Sequence, residues 1–475
     1  MLFKPTKRLI TLSMSILLIG IFVNANADAI PDASSHQYKV IIIGAGAAGL
    51  AAAQDLSQHG MKDLLVIEAR DRIGGRVWTV SPWGAATDLG ASWIHHTHNN
   101  PVAEFAKNHG IDTIPTIYNL GTLNKYSSFE LYDNTGKKIT IGVIGAGRIG
   151  KLHIDNILQY FPAISIKSIA DPDLDEAWCK AKSIQGVFRD PQFILEDDEI
   201  EAVLICSPVA FHVPQIIAAA RARKHIFCEK PISNNIAEIE MALREVQNAN
   251  VILQVGFNRR FDPNFARIKH CLKMNAIGSP HLLRITSRDP EIPPADYLKN
   301  SCGMFLDMTI HDFDMARFLV DSEIEEVYAS GNVLIDSVFK DHHDIDTAIL
   351  NLKFANGVLG VIDNSRQAVY GYDQRVEVFG SLGAIHAENN KSTNTVLSTK
   401  EGVVTDKPLY FFLERYRESY IAELRAFFNS ILHDEPSAVS GRDGLLSVVI
   451  GLAAQKSLKE NRPIKIDYQP WGSYQ

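Results

Sequence analysis

Two stretches about a hundred residues apart, "YKVIIIGAGAAGLAAAQDL" from Tyr38 and "KITIGVIGAGRIGKLH" from Lys138, carry the same folding instruction. In each, a short apolar run suited to a buried parallel strand meets a G-x-G-x-x-G loop and then a helical pattern. The first glycine of such a loop makes a tight turn, the second lets backbone approach a pyrophosphate, and the third lets helix pack on strand; the helix N-terminus then favours the anion. Those positions are Gly44, Gly46 and Gly49 in the first loop and Gly145, Gly147 and Gly150 in the second, with Arg148 and Ile149 inside the latter. A carboxylate for ribose hydroxyls ends the next strand in both cases, Glu68 and Asp171. A chain of 475 residues has room for two or three domains, so it opens a dinucleotide-binding fold twice.

The second opening is followed by the rest of a sheet. "AVLICSP", "HIFCEKP" and "VILQVGFNRR" recur at regular intervals with helical stretches between them, which predicts a parallel sheet with helices on both faces. Ligands of such a sheet lie outside the carboxyl ends of its strands, where Ser207, His212, Glu229, Lys230, Asn258 and Arg260 fall. Asp171 has no adjacent Arg to accept a 2′-phosphate, which predicts NAD rather than NADP. From about His281 the pattern turns β-rich, with Asn356-Gly357 between two alternating runs as a hairpin turn. A second domain with a largely antiparallel open sheet is expected, with helices such as "FFLERYRESYIAELRAFFNSIL" on one face. The expected class is therefore α/β: an NAD-binding Rossmann domain (139–262) and an α+β domain (263–475), preceded by an incomplete Rossmann segment (28–138) that the resemblance given below makes FAD-type.

The densest chemistry lies in "SCGMFLDMTIHDFDMARFLV", from Ser301. If the stretch is helical after Gly303, Asp307 and His311 stand at i and i+4, with Asp314 further along near that face. An aspartate one turn before a histidine can orient its imidazole, as a general base for an alcohol requires. The plain alternative is a surface helix pair; a metal site lacks spaced third and fourth ligands, so no metal is expected.

Two resemblances follow from these motifs. "EARDRIGGRVWT" and "LGASWIHH" resemble the flavin-containing amine oxidases over roughly residues 37–137. That likeness implies FAD contacts at Gly44, Gly46, Gly49, Glu68, Arg70 and Arg76, but the family's substrate domain and closing C-terminal segment are not recognisable. From Ile139 onward, "GVIGAGRIGKLH", "CEKPIS", "GFNRRFDPNF", "ITSRDPEIPP", "GMFLDMTIHDFDMARFL" and "VYGYDQRVEVFG" resemble the glucose-fructose oxidoreductase/inositol dehydrogenase family. This resemblance implies NAD-dependent oxidation of myo-inositol to its 2-keto product. It implies Lys230, Asp307 and His311 as the catalytic set, and Arg260, Asp289 and Tyr370 or Tyr372 as holders of ring hydroxyls. It also implies NAD contacts from the second glycine loop with Asp171, Ser207, His212 and Glu229, and a homo-oligomer, by analogy a tetramer. Cys302 departs from the family, where a glycine usually precedes Gly303, and is expected to crowd that turn.

The first residues read differently from both segments. Lys4, Lys7 and Arg8, an apolar stretch from Leu9 to Val23 and Ala25-Asn26-Ala27 form the pattern of an export signal over residues 1–27. An NAD enzyme implies the cytoplasm, so the two localisation signals oppose each other. All five cysteines follow the second glycine loop without framework or zinc spacing. A net charge of −8 without a Lys/Arg cluster argues against a nucleic-acid partner, and a small polyol is the partner that the family resemblance implies. The expectation is two unrelated coding segments joined near Lys138, with NAD as cofactor and FAD a lesser alternative. The rivals are another cyclic polyol or sugar as substrate, an amine oxidase activity of the first segment, and an inactive fusion product.

Overall fold

The computed structural model describes residues 8–10, 38–68, 79–80, 87–88, 138–184 and 186–471. The chain divides into two compact units, Met1–Ile117 and Tyr118–Gln475, a division ahead of the junction expected near Lys138. The signal cleavage site, Arg70, Arg76 and "LGASWIHH" lie outside the described residues.

In the first unit β1 (Arg8–Ile10) pairs antiparallel with β3 (Leu64–Glu68), and β3 pairs parallel with β2 (Val40–Ile43). Helix Ala47–Gln58 crosses between β2 and β3, and the short strands β4 (Thr79–Val80) and β5 (Thr87–Asp88) form a separate ladder. The third glycine of this loop is obligatory, because a Cβ on Gly49 would sit 1.9 Å from the Gly44 carbonyl oxygen. Among the described residues, Ala45, Leu50, Ala53 and Val66 form a buried cluster. Ile43 on β2 is 87% exposed, so the described sheet buries one face only.

The second unit begins with six parallel strands: β6 (Ile139–Ile144), β7 (Ile164–Ala170), β8 (Gly186–Phe188), β9 (Ala202–Ile205), β10 (His225–Glu229) and β11 (Leu253–Gly256). Their spatial order, β11-β10-β9-β6-β7-β8, reverses direction at β6, which places a ligand crevice beside the second glycine loop. β9 is buried at every position because helices cover both faces, which is why it reads as an unbroken apolar run. One face packs against Ile216, Leu243, Leu445 and Val448. The other packs against Ile154 and Ile157 and against Leu424, Phe427 and Phe428. The latter three belong to helix Arg417–His433, whose Tyr420, with Tyr416 before it, packs in the core of the second sheet as expected, while Leu424, Phe427 and Phe428 complete the core of the first.

The β-rich part forms a seven-stranded sheet. Its strands are β12 (Pro280–Arg288), β13 (Ile324–Asn332), β14 (Thr347–Phe354), β15 (Leu359–Ser365), β16 (Asp373–Gly380) and β17 (Gly383–Ala387). After the separate hairpin of β18 (Val396–Thr399) and β19 (Gly402–Thr405), β20 (Ile464–Lys465) adds the last edge. Pairing is antiparallel except between β12 and β15, which run parallel with Arg288 opposite Ser365. The expected turn joins β14 and β15, with Gly357 at φ +90°. Strict alternation of buried and exposed residues along β14 marks a sheet with one covered face, closed by Phe313, Leu319 and Ile450. Among the described residues, no helix is long and apolar enough to cross a membrane.

Because Phe427 is fully buried between Phe227 and Phe428, Phe427→Ala is expected to destabilise the second unit by about 3–5 kcal/mol. A denaturant titration followed by circular dichroism measures this, and an unchanged midpoint would return that helix to the surface.

Candidate active site

The second glycine loop has the geometry its spacing predicts. Gly145 turns at φ +95°, where a Cβ would strike the Cys206–Ser207 backbone at 2.6 Å, and a Cβ on Gly150 would lie 2.1 Å from the Gly145 carbonyl oxygen. A Cβ on Gly147 would meet nothing within 4 Å, so the loop leaves open space at the N-cap of helix Arg148–Tyr160. Arg148 is exposed and Ile149 half-buried beside that opening. Asp171 follows β7 and accepts from the amides of Ala146 (2.6 Å) and Asp173 (2.8 Å), which fixes its carboxylate at the loop. These residues fit the adenosine and pyrophosphate half of NAD.

Other expected cofactor positions serve as supports. Ser207 Oγ donates to Gln215 (2.6 Å). His212 is buried with its two ring nitrogens against the carbonyl oxygens of Pro231 (2.7 Å) and Ser207 (2.8 Å), and so ties the Lys230–Pro231 turn to the Ser207 loop. Burial outweighs those carbonyls and lowers its pKa. Glu229 turns its carboxylate inward to His153 Nε2 at 2.7 Å. Glu423 lies beside this pair with its oxygens buried and without hydrogen-bond partners among the described residues, and burial followed by the Glu229 charge pushes its pKa far up.

Lys230 follows β10 at the ligand edge. Its ammonium donates to the carbonyl oxygen of Asp307 (2.9 Å) and reaches that residue's Oδ1 at 3.4 Å. Oδ1 also accepts from the Tyr297 hydroxyl (2.8 Å), and Oδ2 from Arg366 (3.0 Å). The other guanidinium nitrogen of Arg366 donates to Asp289 (3.0 Å), which joins the carboxyl ends of β12 and β15 to Asp307. Burial favours the neutral acid at Asp307, but Lys230, Arg366 and the hydroxyl of Tyr297 prevail and hold its pKa at about 2.

The expected Asp307–His311 pair is not formed. The stretch is two helices, Gly303–Asp307 and Ile310–Val320, and the break at Met308–Thr309 removes the i,i+4 register. His311 is half-buried, stands edge-on to Phe257, and leaves Nδ1 buried without a partner. Burial, then the charges of Lys230 and Arg259, push its pKa well below the ordinary histidine value, so the ring is neutral. Gly303 at φ +78° needs its glycine, whereas Cys302 has ordinary right-handed backbone at φ −84° and does not strain the turn.

Of the four expected hydroxyl-holding residues, only Asp289 is hydrogen-bonded into this group. Arg260 is committed to Asp314 (2.8 and 2.5 Å) and Asp443 (2.9 Å). Tyr372 is buried in the core against Tyr416, and Tyr370 is held by Asp373 (2.5 Å) and Arg288 (3.1 Å). Sequence reading missed Tyr297, Arg366 and the buried Arg259–Asp312 pair (2.6 Å). The one available signal was that Arg366 ends a strand pattern, as Lys230 does.

A family model described as an oxidoreductase family with an NAD-binding Rossmann fold matches residues 139–257, and one described as a GFO/IDH/MocA C-terminal domain matches residues 265–386. A flavin-containing amine oxidoreductase model matches residues 47–160. The myo-inositol 2-dehydrogenase of Thermotoga maritima is 50% identical over 329 residues, 69% of this chain and 98% of that protein. Among solved structures, a myo-inositol dehydrogenase from Corynebacterium glutamicum is 36% identical with a TM-score of 0.66, covering 70% of this chain and 99% of its own. A scyllo-inositol dehydrogenase from Lactobacillus casei, with bound NAD(H) and scyllo-inositol, is 31% identical with a TM-score of 0.65 and covers 69% of this chain and 99% of its own. The chain, over its span from Ile139, belongs to the GFO/IDH/MocA family of NAD-binding oxidoreductases.

Proposed function

We propose that residues 139–475 oxidise myo-inositol at its 2-hydroxyl with NAD, using Lys230, Asp307 and His311. The carrying observation is that Lys230, bonded to the Asp307 carbonyl oxygen at 2.9 Å, lies close enough to the neutral His311 ring for its charge to act on it, at the ligand edge of an NAD-type sheet. NAD, when bound, supplies the hydride acceptor. Gly145, Gly147, Gly150 and Asp171 would hold it, with Arg148 and Ile149 beside the loop.

The neutral His311 ring takes the proton of the reacting hydroxyl at Nε2, since Nδ1 is enclosed. Lys230 donates to the same oxygen as negative charge develops there. Asp307 does not orient the imidazole; it holds the lysine. Lys230 and Arg259 disfavour a lasting imidazolium, so the proton moves on to solvent and the base is restored. Asp289, fixed by Arg366, is the proposed acceptor for a neighbouring ring hydroxyl.

A small polyol is the proposed substrate, and the Lactobacillus casei relative makes scyllo-inositol the comparison compound. The outer face of the seven-stranded sheet exposes Ile349, Leu359 and Phe379, which supports a homo-oligomer, a tetramer as the family resemblance implies. Among its described residues the first unit has the strand, loop and acid of a flavin site, and the likeness to the amine oxidases ends before that family's substrate domain, which supports a passive remnant rather than a second activity.

His311→Ala is expected to leave NAD affinity within about two-fold while turnover with myo-inositol falls about 10²–10⁴-fold. Fluorescence titration and NADH absorbance measure the two, and unchanged turnover would remove His311 from the mechanism. The pH dependence follows from the direction of its shift: a free histidine protonates near 6.5 and His311 only well below it. The base is therefore present across neutral pH and lost only on stronger acidification, so kcat/KM is expected to be flat from about pH 6.5 to 8. An inflection near 6.5 would contradict a buried neutral His311.

A further inference from the structure

The carboxylate of Asp307 has more claimants than short contacts. Tyr297 takes Oδ1 at 2.8 Å and Arg366 takes Oδ2 at 3.0 Å, while Lys230 approaches Oδ1 only to 3.4 Å. The lysine's short bond, 2.9 Å, goes to the Asp307 carbonyl oxygen. Tyr297 thus occupies the carboxylate oxygen that faces the ammonium. An ammonium has three donors, and a carboxylate oxygen left unoccupied beside one closes to about 2.7–2.9 Å.

Resting on the catalytic reading above, we infer that Tyr297 is a positioning residue: by holding Oδ1 of Asp307 it keeps the Lys230 ammonium from closing on the carboxylate, leaving donors for the oxygen of the reacting hydroxyl. The placement suits the task. Burial, then the Asp307 charge, raises the phenol's pKa, so it remains an O–H donor throughout the working pH range. Helix Ala295–Asn300 carries it and is anchored by buried Leu298, while Tyr297 itself is 49% exposed. Loss of the hydroxyl therefore opens no core cavity. The other titratable groups facing the Lys230 charge are His311, Cys302 and His212, and none of them is hydrogen-bonded to it among the described residues.

The test uses the full chain with Tyr297→Phe and Asp307→Asn, separately and together, following NADH formation from myo-inositol, as single turnovers where steady state is slow. Tyr297→Phe is expected to lower kcat about ten-fold with KM for NAD unchanged. In the Asp307→Asn background the same change is expected to cost less than about two-fold, since no carboxylate remains to be held. Equal losses in both backgrounds, or wild-type kcat in Tyr297→Phe alongside a crippled Asp307→Asn, would overturn the inference alone. Wild-type turnover in Asp307→Asn would overturn the catalytic reading and the inference together.

Discussion

The site depends on one shared carboxylate. Asp307 ends a helix of five residues, and its oxygens gather donors from three other elements: Lys230 after β10, Arg366 after β15, and Tyr297 on the preceding helix. A buried carboxylate costs more in desolvation than a single partner returns, and it is tolerated when every lone pair is engaged. Here the engagement also joins the nucleotide-binding sheet to the seven-stranded sheet, because Lys230 belongs to one and Arg366 to the other. The sign of its titration follows. An unfolded aspartate titrates near 3.9 and Asp307 at about 2, so its contribution to stability is complete above the former value and lost as pH falls through the latter.

A second set of ion pairs holds the neighbouring helix and accounts for a misplaced expectation. The turn Asn258–Phe261 presents Arg259 and Arg260, and the two arginines take Asp312 and Asp314 of helix Ile310–Val320, the helix that carries His311. In sequence, Arg260 at a strand's carboxyl end reads as a ligand for hydroxyls. In space its guanidinium is saturated by Asp314 and Asp443, and it acts as a clamp. Burial raises the pKa of Asp312 to about 6 against the pull of Arg259, and both Arg259 and Lys230 keep protons away from His311. The imidazole owes its neutrality to surrounding cations and burial, not to a carboxylate partner.

What the sequence made legible was whatever is encoded within about thirty consecutive residues. The glycine loops, the acids after the second strands, the parallel sheet and the turn at Gly357 are local patterns, and each lies where periodicity and spacing put it. Lys230, Asp307 and His311 stand out in sequence because motifs carry them. The relation between Asp307 and His311 is not legible because the helix is interrupted at Met308–Thr309, where the His311 amide bonds to the Met308 carbonyl and not to that of Asp307, and composition does not register such a break. Arg366 and Asp289 meet because β12 and β15 pair in parallel across a separation of more than seventy residues, which no local pattern reports. Helix Arg417–His433 reads as a cover for the second sheet, whose core Tyr420 joins, but that Leu424, Phe427 and Phe428 enter the first is not legible for the same reason: an apolar stripe says that it is buried, and not against what.

The two glycine loops show how little a motif decides alone. In both, the acid after the next strand accepts from the second residue of the loop, Ala45 to Glu68 at 2.8 Å and Ala146 to Asp171 at 2.6 Å, and the third glycine lies against the carbonyl of the first. Locally the two are the same device. They differ in what surrounds them. β6 is flanked by β7 and β9, and its alternate residues enter a cluster with Phe227, Phe427 and Phe428. Among the described residues β2 has a neighbour on one side only, β3, and Ile41 and Ile43 are exposed. A phosphate loop works by holding amides still against an anion, and stillness comes from the buried sheet beneath it. On that argument the local geometry is common to the two loops, and among the described residues the buried sheet lies beneath the second.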